Sequence, residues 1–304
     1  FFSNSDTEVI LQLVARSSAT STIERLKDVF SQIQGAYSLI ILTNKKMIGV
    51  RDPYGIRPLV LGKKNNAYVL ASETCALDII GATYIRDVKN GEMVIISDTG
   101  LESIQFSTAY KERQCIFERI YFARPDSFID DHTVYTYRKN LGDQLALESN
   151  IDADVIVPIP DSGVPAALGY SQQSNIPYEV GIIRSHYVGR TFIEPSQSIR
   201  QFGVRLKHSV NKSCIKGKRV ILIDDSLVRG TTANKVVRMM FDAGAKEVHL
   251  GISSPPIKHP DFYGIDTPNY SELLASNHTI EEMTSIIGAT SLFFLTLQGT
   301  YRAM

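Results

Sequence analysis

The sequence has no excess of charge of either sign. Its 32 basic residues balance 32 acidic ones, leaving a formal net charge of zero over 304 residues. Nucleic acids and anionic membrane surfaces are bound chiefly through cationic excess, so neither is an expected partner. No apolar run is long enough to span a bilayer. Cysteine is scarce. Cys75, Cys115 and Cys214 are odd in number, far apart and without CxxC spacing, which argues against a disulfide framework and a zinc site. A reducing, cytoplasmic setting is expected. Two nucleotide signatures are also missing: there is no GxxxxGK[ST] and no GxGxxG after a strand. The chain lacks an initiator methionine, and Phe1-Phe2-Ser3 is no signal peptide, so a processed or truncated chain is the expectation.

What is present reads as two textures. Hydrophobic residues make up 43% of the chain, enough for a core in one large domain or two ordinary ones. In the first texture, Ser5-Asp6-Thr7-Glu8 has capping-box spacing ahead of an apolar helix. Ile23, Leu26, Phe30 and Ile33 predict a second helix. Short apolar runs at 37–42, 47–51, 59–61, 68–71 and 93–96, mostly separated by polar or Pro-Gly turns, predict antiparallel strands. A polar stretch at 107–114 reads as a linker. Beyond it, helices at 138–148, 165–173 and 233–243 alternate with strands at 154–159, 178–183, 219–223 and 247–252, which implies βαβ crossovers and a parallel sheet.

One loop carries chemistry. The apolar strand Val220-Ile221-Leu222-Ile223 runs into Asp224-Asp225-Ser226-Leu227-Val228-Arg229-Gly230-Thr231-Thr232 and then a helix. In open α/β sheets, ligands bind beyond the carboxyl ends of strands. Gly230 allows close backbone approach to an anion, and Thr231 and Thr232 place donors at a helix N-terminus, where a phosphate is favoured. The two carboxylates suit sugar hydroxyls or Mg²⁺, a hard cation that prefers oxygen ligands.

That string resembles the phosphoribosyl-pyrophosphate loop of type I phosphoribosyltransferases. Its surroundings narrow the likeness. Cys115-Ile116-Phe117-Glu118, Tyr121-Phe122-Ala123-Arg124-Pro125-Asp126-Ser127, Pro160-Asp161-Ser162-Gly163, Tyr187-Val188-Gly189-Arg190-Thr191-Phe192-Ile193 and Phe262-Tyr263-Gly264-Ile265-Asp266 resemble the glutamine phosphoribosylpyrophosphate amidotransferases. The resemblance implies an α/β protein of two parts. Residues 1–110 would be the later part of an N-terminal-nucleophile glutaminase, α+β with antiparallel sheets. Residues 111–304 would be a type I phosphoribosyltransferase domain, a mostly parallel sheet flanked by helices.

The implied reaction is displacement of pyrophosphate from 5-phosphoribosyl 1-pyrophosphate by ammonia drawn from glutamine, the first step of de novo purine synthesis. By the same resemblance Asp224, Asp225 and Ser162 would be associated with Mg²⁺, and the two acids with the ribose hydroxyls. Ser226, Arg229, Gly230, Thr231 and Thr232 would complete the donor loop, the last three around the 5-phosphate. Asp161, Ser162 and Gly163 would form the pyrophosphate loop. The segment 187–197 would be a loop that closes over the site, and Arg190 within it and Arg200 beyond it would contact the pyrophosphate. Arg184-Ser185-His186 departs from the family's more usual Lys-Asn-Arg. Asp6 would bind the α-amino group of glutamine, while Gly35 to Ser38 and Arg51 to Leu59 would be scaffold.

The family's nucleophile is an amino-terminal cysteine, which the sequence lacks, so glutamine hydrolysis by this chain is not expected. Cys115 matches the first ligand of the iron–sulfur cluster some members hold. Asp261 stands where the second cysteine would be, so no cluster is expected. Homo-oligomers are usual in the family. A salvage phosphoribosyltransferase would share the loop but leave the front half unexplained. A regulator that binds the donor as a signal would carry a basic DNA-binding module, and no such run is visible.

Overall fold

In the computed structural model, which describes residues 3, 5–107, 111–184, 208–265, 267 and 269–304, helix α1 (Asp6–Arg16) begins after Ser5. The expected capping box is not made. The Ser5 hydroxyl pairs with that of Thr7, and the Glu8 carboxylate turns back to the N–H and hydroxyl of Ser3. Helix α2 (Thr22–Gln32) is capped by the Ser21 side chain on the Glu24 N–H, and it buries Leu26, Val29 and Phe30. Then follow β1 (Ser38–Leu42), β2 (Lys46–Arg51), β3 (Val60–Lys64), β4 (Ala67–Ala71), α3 (Thr74–Ile80), β5 (Thr83–Asp87), β6 (Glu92–Ser97) and β7 (Gly100–Gln105).

These strands make two antiparallel sheets, in the orders β1-β2-β6-β7 and β4-β3-β5. Alternation along β2 and β6 drives Ile48, Val50, Met93 and Ile95 into one core with Leu26 and Phe30. The segment 51–59 is held from inside. The Asp52 carboxylate accepts N–H bonds from Tyr54, Ile56 and Tyr37, and the Arg51 guanidinium donates to the carbonyls of Gly55, Arg57 and Val88. That accounts for its reading as scaffold.

The chain divides into compact units Phe1–Glu118 and Arg119–Met304. In the second, a short hairpin of β8 (Phe128–Ile129) and β9 (His132–Thr133) leads into α4 (Val134–Glu148). Next come β10 (Val155–Pro158), α5 (Val164–Ser174), β11 (Ile182–Arg184), β12 (His208–Val210), α6 (Lys212–Ile215) and β13 (Arg219–Asp224). The order closes with α7 (Thr231–Asp242), β14 (Glu247–Ile252), a 3₁₀ turn (Tyr270–Glu272), α8 (Leu274–Asn277), α9 (Ile280–Ile287), β15 (Ser291–Phe294) and α10 (Leu297–Arg302).

The sheet is parallel, in the order β10-β13-β14-β15. Val220, Leu222, Val248, Leu250 and Ile252 pack on Val236, Val237 and Met240 of α7 and on Met283 and Ile287 of α9. The strand expected at 178–183 is shorter than the apolar pattern suggests. Tyr178 makes one parallel bridge to Ile156, and the chain then leaves the sheet to form the antiparallel pair β11–β12. That bridge lies on the side of β10 away from β13. The chain therefore goes out to one side of β10 and returns on the other, so strand order reverses between β10 and β13.

Candidate functional site

The loops after β10 and β13 leave the sheet at the same edge, because their strands are parallel neighbours with Pro158 in register with Ile223. Their backbones interlock. The Ile223 carbonyl accepts the Ile159 N–H at 2.8 Å, and the Ile159 carbonyl accepts the Gly163 N–H at 3.0 Å. A Cβ on Gly163 would lie 2.2 Å from the Ile223 oxygen. Only glycine lets the turn at 161–163 sit on the end of β13. Helix α5 begins just after it, with Gly163 as a cap residue that has no side chain. Asp161 is exposed, and its carboxylate meets the Arg184 guanidinium at the end of β11.

At the end of β13 the two acids are held differently. The Asp224 carboxylate accepts the Asp225 N–H at 3.0 Å, and the Asp224 carbonyl accepts the Ser253 N–H at 2.9 Å. Asp225 is buried and accepts the Ser226 hydroxyl. Burial, followed by the adjacent Asp225 charge, pushes the Asp224 carboxyl well above the ordinary carboxylate value; Ser162, which lies beside it, acts in the opposite direction. Ser162 and Asp224, 62 positions apart, thus share one site.

The loop continues with Leu227 inserted in the core and ends at Gly230, whose φ of 75° is left-handed. Gly230 precedes α7 and carries no cap, so the leading N–H groups of that helix are open to a ligand or water beside exposed Thr231 and Thr232. Arg229 does not stand alone: its Nε donates to Glu272 Oε2 at 2.7 Å. Nothing in the sequence pattern linked Glu272 to this loop, for the two residues are 43 positions apart.

Paired carboxylates, one of them raised by burial and a like charge, form an oxygen-only donor set that fits a hard divalent cation. Among the described residues no group of three or more His, Cys, Asp or Glu side chains could hold a metal. A cation here would rest on the acidic pair together with ligand and water oxygens, the manner in which Mg²⁺ is held beside phosphates.

The other expected residues fall elsewhere. Asp6 is exposed at the first position of α1, in the first unit. Arg190, Arg200 and the segment 187–197 lie outside the described residues. Cys115 donates its N–H to the Ile56 carbonyl, and burial pushes its thiol up. The Asp261 carboxylate accepts the N–H groups of Tyr263 and Ile265 at 2.7 and 3.1 Å and so staples its own turn. Cys75 is a small buried residue.

A parallel sheet whose strand order reverses beside an acidic pair and the uncapped start of a helix defines an open α/β domain. It is accompanied here by an antiparallel α+β unit. Comparison with known proteins agrees. Residues 1–78 match the family described as a glutamine amidotransferase domain, and residues 139–254 match the phosphoribosyl transferase domain. The amidophosphoribosyltransferase of Rhizobium etli is 57% identical, across 99% of this chain and 62% of its own length. That of Bacillus subtilis is 50% identical, across 100% of this chain and 64% of its own. A solved structure of the B. subtilis glutamine phosphoribosylpyrophosphate amidotransferase, complexed with ADP and GMP, superimposes with a TM-score of 0.94 at 50% identity, covering all of this chain and 67% of that one. The chain belongs to the amidophosphoribosyltransferase family. It spans somewhat over three fifths of the length of the curated relatives named here.

Proposed function

We propose that the second unit binds 5-phosphoribosyl 1-pyrophosphate at the carboxyl ends of β10 and β13 and presents its anomeric carbon to ammonia, giving 5-phosphoribosylamine and pyrophosphate. In the whole protein the ammonia comes from glutamine bound by the amidotransferase unit, with Asp6 holding the α-amino group. The observation that carries this reading is the convergence of Ser162 and Gly163 with Asp224 and Asp225 at the point where strand order reverses.

The residues divide the work by chemistry. The N–H groups opening α7, with Thr231 and Thr232, take the 5-phosphate. The turn of Asp161, Ser162 and Gly163 faces the pyrophosphate, joined by Arg190. Asp224 and Asp225 hold the ribose hydroxyls and, with Ser162 close by, Mg²⁺. When bound, Mg²⁺ neutralises charge on the leaving pyrophosphate. The family's homo-oligomeric state and a reducing, cytoplasmic setting belong to the same proposal. No helix of the described residues is long and apolar enough to cross a membrane.

The test is product formation from the donor with ammonium, and separately with glutamine, at varied Mg²⁺. Asp225→Asn should lower the ammonia-dependent rate roughly 100-fold, the scale of losing one electrostatic partner of the reacting group. Consumption of a free purine or orotate instead of ammonia would overturn the reading, and so would an inability to bind the donor in calorimetry.

A further inference from the structure

A segment far downstream grips the donor loop at three points. The Leu274 N–H donates to the Val228 carbonyl at 2.9 Å. The Leu274 side chain covers Gly230 so closely that a Cβ there would meet its Cδ2 at 2.8 Å. Glu272 takes two donors of the Arg229 guanidinium on one carboxylate oxygen, Nε at 2.7 Å and Nη2 beside it. The segment is itself pinned. Asn277 Nδ2 donates to the carbonyls of Tyr270 and Leu273, each at 2.8 Å, and the Ser276 hydroxyl donates to the Lys258 carbonyl.

We propose that Glu272 is a positioning residue for the phosphate loop, and that Arg229 serves the site by anchoring to Glu272 rather than by touching the ligand. Of the guanidinium's five N–H donors, the side-on pair on Nε and Nη2, which could grip an anion bidentately, is turned to Glu272 instead. The contacts at Val228, Arg229 and Gly230 bracket the residues that lead into α7, so the pair sets the direction in which the leading N–H groups point. A preformed loop spares the ligand the cost of ordering it. This refines the binding reading above and rests on it for the nature of the ligand, but the brace can be tested without any ligand.

The first measurement is amide hydrogen exchange of the full chain with no ligand present. Glu272→Gln should speed exchange across 226–232 while leaving β14 protected; an unchanged loop would overturn the brace. The second is binding of 5-phosphoribosyl 1-pyrophosphate by calorimetry. Glu272→Gln and Arg229→Gln should each weaken affinity roughly two- to fivefold, the scale of one partly solvated ion pair. The double variant should be no weaker than the worse single, and the exchanged pair Arg229→Glu with Glu272→Arg should recover most of the loss. Additive losses, or an exchanged pair as weak as Arg229→Glu alone, would show that Arg229 contacts the ligand and would sink the proposal. An unmodified chain that binds no donor, yet shows the exchange effect, would count against the binding reading and leave the brace standing.

Discussion

Gly163 and Glu92 show how single positions set limits in the two units. The Gly163 Cα lies against the end of β13, with the Ile223 oxygen 2.2 Å and the Ile159 oxygen 2.9 Å from where a Cβ would be. Both neighbours are backbone and cannot rotate away. Gly163→Ala should therefore cost about 3 kcal/mol, the upper range for overpacking, measured by urea denaturation. It should also weaken donor binding, since the turn would be lifted off the sheet. Glu92 is buried on β6. Burial would raise its carboxyl, but bonds from Arg86, Ser103 and the Lys89 N–H outweigh that and hold it below the ordinary value of 4.5. A depressed folded pKa means that the folded state holds fewer protons than the unfolded state in this range. The contribution is complete above 4.5 and is lost as pH falls through the folded value. Glu92→Gln should cost about 2 kcal/mol near neutrality, as for a hydrogen bond to a charged group, and should flatten the fall in stability below that pH. Denaturation midpoints from pH 7 to 3 would show a parallel fall in both proteins if this account were wrong.

Elements differ in how much of themselves they write locally. Helix α2 has its cap, its apolar spacing and its buried face all within one stretch, so its existence follows from the residues. Strand β13 has an apolar centre buried on both faces, and β14 is buried along nearly its whole length although it carries His249, as parallel strands between helix layers must be. Helix α3 and strand β5 give no such signal: α3 is only seven residues long, and β5 is a largely exposed edge strand, so neither has a clear amphipathic period. Near Ser5 the residue spacing was right and the hydrogen bonds were not, because Ser3 competes for the Glu8 carboxylate. A capping box is formed instead at Thr279, whose hydroxyl accepts the Glu282 N–H while the Glu282 side chain accepts the Thr279 N–H. Helix α9, which it starts, packs on α7 through Met283 and Ile287. Thr279→Ala should cost about 1 kcal/mol in thermal or urea unfolding, the usual worth of an N-cap, with donor affinity nearly unchanged.

At the scale of the molecule, binding and folding are linked. The proposed ligand would touch two loops whose positions exist only in the folded sheet, and so would bind the native state alone. At about 100 times its dissociation constant it should stabilise the native state by about 2.7 kcal/mol. Scanning calorimetry with donor and Mg²⁺ should show a rise of several degrees in the transition of the unit Arg119–Met304. A transition that stays put at saturating donor would contradict the site. The gain should be smaller for Asp225→Asn, which keeps the loop but loses one of the paired charges.

The expectation for the loop at 224–232 needed nothing but neighbouring residues. A strand, two acids, a glycine and two threonines are consecutive, and the physics of a strand end meeting a helix start is local. The assembly of the site needed more. Ser162 reaches Asp224 because β10 and β13 are neighbours in one register, and that neighbourhood depends on where the intervening chain crosses the sheet. Glu272 reaches Arg229 across 43 positions because it follows β14, the parallel neighbour of β13 on its other side. Pairing between distant strands is decided by the shared core they bury together, the cluster around Val220, Leu222, Val248 and Leu250, and no window of residues along the chain contains that core.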